Sequence, residues 1–142
     1  MCSTPLLPGC NEPPSPGLIR GIEQFNRGEY WECHETLEAL WIAEPRGVRG
    51  LYQGILQVGV ALHHLRNNNL PGALKVFHRG LPKLHRLPPT CQGVDVTQLI
   101  EDATAVFDEV LAHGSMQPAE LPASLPQIRL VAEVEPGEVS IP

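Results

Sequence analysis

His34 and Glu38 lie four residues apart in a stretch, 30–43, whose apolar residues recur at helical spacing. On a helical wheel of about 100° per residue, both fall inside an apolar arc formed by Tyr30, Trp31, Cys33, Leu37, Leu40, Trp41 and Ile42. Glu32 and Glu35 project near or beyond the edge of that arc, as solvated charges do. A carboxylate and an imidazole in an apolar stripe are expensive unless each is hydrogen-bonded, paired or bound to a metal. The i, i+4 relation lets them bond to each other or converge on one ligand.

A supply of partners follows in the next helical stretch, 47–66, where Gln53, Gln57 and His64 share one narrow strip, with Arg46 just before it. Amide side chains and imidazoles both donate and accept, so this strip facing His34 and Glu38 makes a polar pocket between helices; facing water, it is only the polar side of its helix. Three kinds of chemistry fit such a pocket. His34 and Glu38 are candidate metal ligands, completed by His63, His64 or water, and an imidazole with a carboxylate suits zinc, iron or manganese. The likeness to HExxH is superficial, because Glu38 stands where the second histidine belongs. Alternatively the pocket binds a small polar or anionic molecule that Arg46 and the glutamines position. In a third reading the domain is a protein-interaction module whose exposed Trp31 and proline-rich tails meet a partner. Against all three stands a hydrogen-bond network that only fixes how helices pack. Trp31 and Trp41 also read as core anchors.

The elements that must position these residues are helices. Ser15-Pro16 is a capped start for a first helix that Gly28 stops, the second spans 30–43, and Pro45 ends it. The third, 47–66, is apolar around most of its circumference and therefore central, and Gly50, Gly54 and Ala61 give it a strip where a neighbour can come close. Asn69 caps a fourth helix that Pro82 is expected to kink or end, and Asp95 with Gln98 has capping-box spacing for a fifth that stops at Gly114. No segment alternates convincingly with period two, so the expectation is all-α, a compact bundle of about five helices in antiparallel hairpins. Tyr30, Cys33, Leu37 and Leu40 recur forty residues on as Leu70, Ala73, Phe77 and Gly80, a spacing like that of tetratricopeptide-type repeats, but two copies are too few for a solenoid.

The chain of 142 residues fits one domain, with 42% hydrophobic and 18% charged residues. Its 15 prolines concentrate at the two ends, which sets a helical domain at 18–113 between a proline-rich tail, 1–17, and a proline-rich acidic tail, 114–142, both disordered or extended. The stretch between Arg49 and Arg66 is too short and too polar to cross a bilayer. A net charge of −6 argues against nucleic-acid binding. Four cysteines without CxxC spacing, two of them in a tail, read as reduced thiols of a cytoplasmic protein. Charge is segregated: residues 46–86 carry five Arg and two Lys and no acid, between a glutamate-rich stretch before and an acidic one after. Either the helices neutralise one another when packed, or the basic stretch presents an anion-binding face; a homodimer would also suit the segregation.

The run Phe25-Asn26-x-Gly28-x-Tyr30, then His34-Glu35-x-Leu37-Glu38-x-x-Trp41, then Gln53-Gly54-Ile55-Leu56-Gln57 and Asn69-x-x-Gly72-Ala73, resembles the bacterial and archaeal family known as domain of unknown function 309. The resemblance covers about residues 20–85. It implies a compact all-helical domain in which His34, Glu38, Trp41, Gln53 and Gln57 belong to the signature, and it implies no activity. The two polar strips are therefore expected to face each other across a His34/Glu38/Gln53/Gln57 pocket that binds a small polar ligand or a partner, with metal-dependent hydrolysis as the alternative. In that alternative Glu38 acts as general base or ligand, His34 as ligand or acid/base, and the glutamines orient substrate or water.

Overall fold

The computed structural model describes residues 7–112 and 125–131. Ser15 caps α1 (Pro16–Asn26) by accepting from the Leu18 amide at 3.1 Å, with Pro16 in the first turn. Gly28 at φ +80° makes the turn into α2 (Tyr30–Ala43), which ends ahead of Pro45 as its ring requires. After α3 (Arg49–Arg66), Asn69 accepts from the Gly72 amide at 3.1 Å and caps α4 (Leu70–His85). The Asp95 carboxylate accepts from the Gln98 amide at 3.0 Å and starts α5 (Val96–Ala112). The fold is all-helical apart from a two-residue pair of strands, β1 (Thr90–Cys91) and β2 (Val94–Asp95).

The apolar α3 lies between α2 and α4, and Leu51, Ile55, Val58, Ala61, Leu62 and Leu65 are all buried along it. The repeated spacing on its two neighbours has a direct cause. Tyr30, Cys33 and Leu37 of α2 and Ala73, Phe77, Gly80 and Leu84 of α4 are the positions that each helix buries, so the repeat is shared at Cys33/Ala73 and Leu37/Phe77. Phe25 of α1 meets Tyr30 edge-on at 5.3 Å, and Phe77 stacks on Phe107 of α5 at 4.2 Å. The small-residue strip is used at Gly54, where an added Cβ would lie 2.6 Å from Leu84 Cδ2; Gly50 has open space instead.

Four expectations are corrected. Pro82 neither ends nor interrupts α4, which runs on to His85 because Leu84 is fully buried; Pro82 itself is exposed, and the Lys83 ammonium donates to the Arg79 carbonyl at 2.9 Å in the turn that the ring disturbs. The β1–β2 hairpin was not expected. Its two-residue turn places Gln92 at φ +47° and Gly93 at φ +79°, and Gln92 holds that conformation through a network: its amide donates to the Cys10 carbonyl at 2.7 Å, its Nε2 to the Gly9 carbonyl at 2.9 Å, and its Oε1 accepts from the Tyr52 hydroxyl at 2.9 Å. Cys10 and Cys91 are joined in a disulfide rather than being free thiols, with Cα atoms 4.5 Å apart. Cys33 is free and buried, and burial pushes its thiol up to about 12.

The fourth concerns the ends. Residues 7–15, assigned to a tail, pack on the domain, and Cys10 is buried there. Residues 125–131 also dock. The Asn26 amide exchanges two hydrogen bonds with the backbone of Ile128, at 2.9 and 2.7 Å, and Leu130 bridges to Val94. His113 and the remainder of both tails lie outside the described residues. Among those described, no helix is long and apolar enough to cross a membrane.

Candidate functional site

The buried face of α2 is narrower than the wheel implied. Trp31 and Ile42 were counted in the apolar arc, yet they are 48% and 69% exposed, so the arc centres on Tyr30, Cys33 and Leu37. Glu38 therefore stands in solvent and needs no partner, and His34 is half-buried. The His34 ring lies 4.8 Å from the Trp31 indole, which in turn lies 5.7 Å from the His63 ring. Burial lowers the His63 pKa, with Arg66 and His64 adding to the shift. His64 turns to Asn69, whose Nδ2 is 3.4 Å from its Nδ1. Among the described residues, no three His, Cys, Asp or Glu side chains gather closely enough to hold a metal ion.

Gln53 and Gln57 do not face His34 and Glu38; they face α4. The Lys83 ammonium donates to Gln57 Oε1 at 3.0 Å, and Gln53 lines an open cavity of about 240 Å³ at the start of α3. Three cations, Arg49, Lys83 and Arg86, line the same cavity, and no acid does. Its apolar walls are Leu7 and Leu87, and Gly47 and Gly50 leave one side without side chains. Trp41 positions one of the cations: the Arg49 guanidinium lies 4.8 Å from the Trp41 ring centroid, and its Nη2 donates to the Trp41 carbonyl at 3.4 Å.

The cations are not consumed by the fold. Among the described residues, none of the three forms an ion pair with a carboxylate. Burial, followed by the neighbouring Arg86 and Arg79 charges, lowers the Lys83 pKa. Most main-chain amides beside the cavity are already bonded within the chain. Those of residues 49–51 are taken by tight turns of the entering chain, and the Val48 amide donates to the Pro8 carbonyl at 3.2 Å. Other cavities differ in charge: one of about 290 Å³ beside Leu84 and Val96 has Glu101 in its lining, and another has Glu101 and Asp108 but no Lys or Arg.

Arg46 is the residue whose role changes most. Expected to position a ligand, it is held by two carboxylates, Glu12 at 2.6 and 3.0 Å and Glu44 at 2.8 and 3.0 Å. The Arg46 hydrogen bonds pull Glu44 down to about 2 and lower Glu12 below its ordinary 4.5. Such depressed carboxylates stabilise the fold above their unfolded pKa and lose that contribution as pH falls from about 4.5 toward 2. Arg46→Ala is thus expected to lower the melting temperature at pH 7 by a few degrees, and the difference from wild type is expected to shrink at pH 3. Thermal melts of both proteins at the two pH values check this.

Sequence reasoning passed over Arg49, Lys83, Arg86, Leu7 and Leu87 as individual site residues. The usable signal was the absence of acid from 46 to 86. Of the residues it did select, Gln53 lines the cavity, Gln57 and Trp41 hold its cations, and His34, Glu38, His64 and Arg46 lie apart from it.

Residues 18–76 match the family described as Domain of unknown function (DUF309). Over 118 residues the chain is 29% identical to the uncharacterized protein YpuF of Bacillus subtilis (strain 168), a match that covers 80% of this chain and 67% of that one. Over 99 residues it is 24% identical to an uncharacterized protein of Aquifex aeolicus (strain VF5), covering 68% of this chain and 28% of the relative. The chain thus spans about two thirds of the first relative and little more than a quarter of the second.

Proposed function

For a chain whose residues 18–76 match the DUF309 family, we propose a binding function: the hollow between α3 and α4 takes a small, multiply charged phosphate-bearing molecule. The observation that carries this reading is three cations around one cavity with no carboxylate among its lining residues. Like charges held together oppose folding, and an oxyanion relieves that opposition while accepting charge-assisted hydrogen bonds. Arg86 offers a planar fork suited to two oxygens at once, Arg49 the donors not turned to the Trp41 carbonyl, and Lys83 a point charge. Gln53 can donate to a further oxygen, and Leu7 with Leu87 can shelter a short apolar body.

Hydrolysis has less support. Glu38, the candidate general base, stands in solvent, and the glutamines that would orient a substrate lie against α4. Calorimetric titration with inorganic pyrophosphate tests the binding reading, with citrate as a polycarboxylate of similar charge. We expect a dissociation constant on the order of 10 μM for pyrophosphate at low salt, from a few charge-assisted contacts less the cost of association. Binding is expected to weaken steeply toward 0.5 M sodium chloride, about where ions screen over only a few ångströms. Absence of binding by both anions would refute the reading, and binding of citrate alone would refute the phosphate class.

A further inference from the structure

One wall of the cavity comes from outside the helical body. Leu7 belongs to the segment 7–12, which crosses the start of α3 and reaches the β1–β2 hairpin, where Cys10 bonds to Cys91. Gly9, at φ +96°, lets this strap lie flat: a Cβ there would come within 2.7 Å of Val48 Cγ1. Besides the disulfide and the packing of Cys10 and Leu7 on the core, the strap is tied to the body by a few polar contacts. The Pro8, Gly9 and Cys10 carbonyls accept from the Val48 amide, Gln92 Nε2 and the Gln92 amide at 3.2, 2.9 and 2.7 Å, and Glu12 pairs with Arg46 at the surface. Exposed pairs and single hydrogen bonds hold weakly, whereas a covalent link joining residues 81 apart in sequence removes much of the freedom of the open chain.

We propose that the Cys10–Cys91 disulfide is a redox latch on the anion site, so that its reduction frees the strap, removes the Leu7 wall and weakens ligand binding. This rests on the binding reading above. The reductant is a dithiol. Cys10 and Cys91 are both buried, so the strap lifts locally before one thiolate of the reductant attacks the Cys10–Cys91 bond to form a mixed disulfide; its second thiolate then closes the reductant's own disulfide, and two protons from solvent leave Cys10 and Cys91 as thiols. The reductant loses two electrons and the protein gains two. Cys33 does not enter the exchange, because burial holds it as a protonated thiol, which is no nucleophile. With the strap in place, Leu7 keeps water from one side of the cations and strengthens their field at the ligand. Once the strap is gone, that side is open to solvent.

Pyrophosphate titration of the oxidised full-length protein, of the same protein fully reduced with dithiothreitol, and of the reduced sample after reoxidation tests the latch. The reduced form is expected to bind about fivefold more weakly, corresponding to the lost apolar contact and shelter of Leu7, and reoxidation is expected to restore the affinity. Hydrogen exchange supplies a readout independent of the ligand. The Val48 and Gln92 amides, which donate to the strap, are expected to exchange at least about tenfold faster on reduction, while those in the middle of α3 keep their protection. The Cys10→Ser/Cys91→Ser variant is expected to behave as the reduced protein does. Unchanged exchange at Val48 and Gln92 would overturn strap release even if pyrophosphate binds. Faster exchange with equal affinity in both redox states would overturn the coupling and leave the binding site standing. Absence of binding in every state would overturn the site and the latch together.

Discussion

Replacing Lys83 by methionine is expected to weaken pyrophosphate binding by roughly 10- to 100-fold, the worth of one charge-assisted hydrogen bond, without lowering the melting temperature. The two halves of this result have one cause. In the unliganded fold the Lys83 ammonium is disfavoured, first by burial and then by Arg86 and Arg79. A lysine whose folded pKa lies below its unfolded value opposes folding at neutral pH, and that opposition fades as pH rises through the folded pKa toward 10.5. Methionine keeps the length of the side chain and removes the charge. It gives up the hydrogen bonds to Gln57 and to the Arg79 carbonyl, both of which water can reach, and it removes the repulsion. Any stability advantage of the variant at pH 7 should narrow by pH 10. A residue that stabilises a ligand and not the fold is the mark of a site kept for function. Calorimetry and thermal melts at the two pH values measure both halves. A large loss of melting temperature with little loss of affinity would identify Lys83 as a structural tie between α3 and α4.

What could be read from the sequence was local. Ser15, Asn69 and Asp95 begin their helices by hydrogen bonds to amides three residues away, so residue type and spacing suffice to find them. The alternation of acidic and basic stretches was equally plain, and the acid-free stretch contains every cation of the cavity. What could not be read depends on residues far apart in the chain. The Cys10–Cys91 bond, the Asn26–Ile128 clamp and the network around Gln92 span 81, 102 and 40 residues or more. A turn in which glutamine adopts a positive φ follows from those bonds and from no propensity of glutamine itself. The wheel for α2 failed for a related reason. It treats every large apolar residue as core, whereas Ile42 stays exposed and Trp31 is only partly covered, by the rings of His34 and of His63 on α3. Moving those two out of the arc turns Glu38 from a buried carboxylate into an ordinary surface charge, and the case for a His34/Glu38 metal pair weakens with it.

The largest loss of stability is expected at the close approach of α3 and α4, and three glycines separate its causes. Alanine in a helix interior gains about 0.5–1 kcal/mol over glycine, a gain that applies in full at Gly54 and Gly80 and in part at Gly50, the second residue of α3. At Gly50 no atom lies within 4 Å of an added Cβ, and Gly50→Ala is expected to stabilise by about 0.5 kcal/mol, the low end of that range. At Gly54 the new methyl meets Leu84 Cδ2 at 2.6 Å and Cγ at 2.9 Å; both atoms belong to a side chain that can change rotamer, though it is buried, so the net cost is expected to be about 1 kcal/mol. At Gly80 the methyl meets Gln57 Cβ at 2.9 Å and the Gly54 carbonyl oxygen at 3.3 Å, atoms fixed to the opposing backbone. There only the helices can move. Gly80→Ala is expected to cost about 2 kcal/mol and Gly80→Val about 3 kcal/mol or more, a fall of roughly 10 °C in melting temperature for a domain of this size. The displacement also separates Gln57 from Lys83, so Gly80→Ala should weaken pyrophosphate binding while Gly54→Ala, which leaves the helix spacing intact, should not. Chemical denaturation of the three alanine variants gives the order directly. If Gly80→Ala proves as stable as Gly50→Ala, the helices do not approach as closely as these distances require, and the placement of Lys83 over the cavity falls with them.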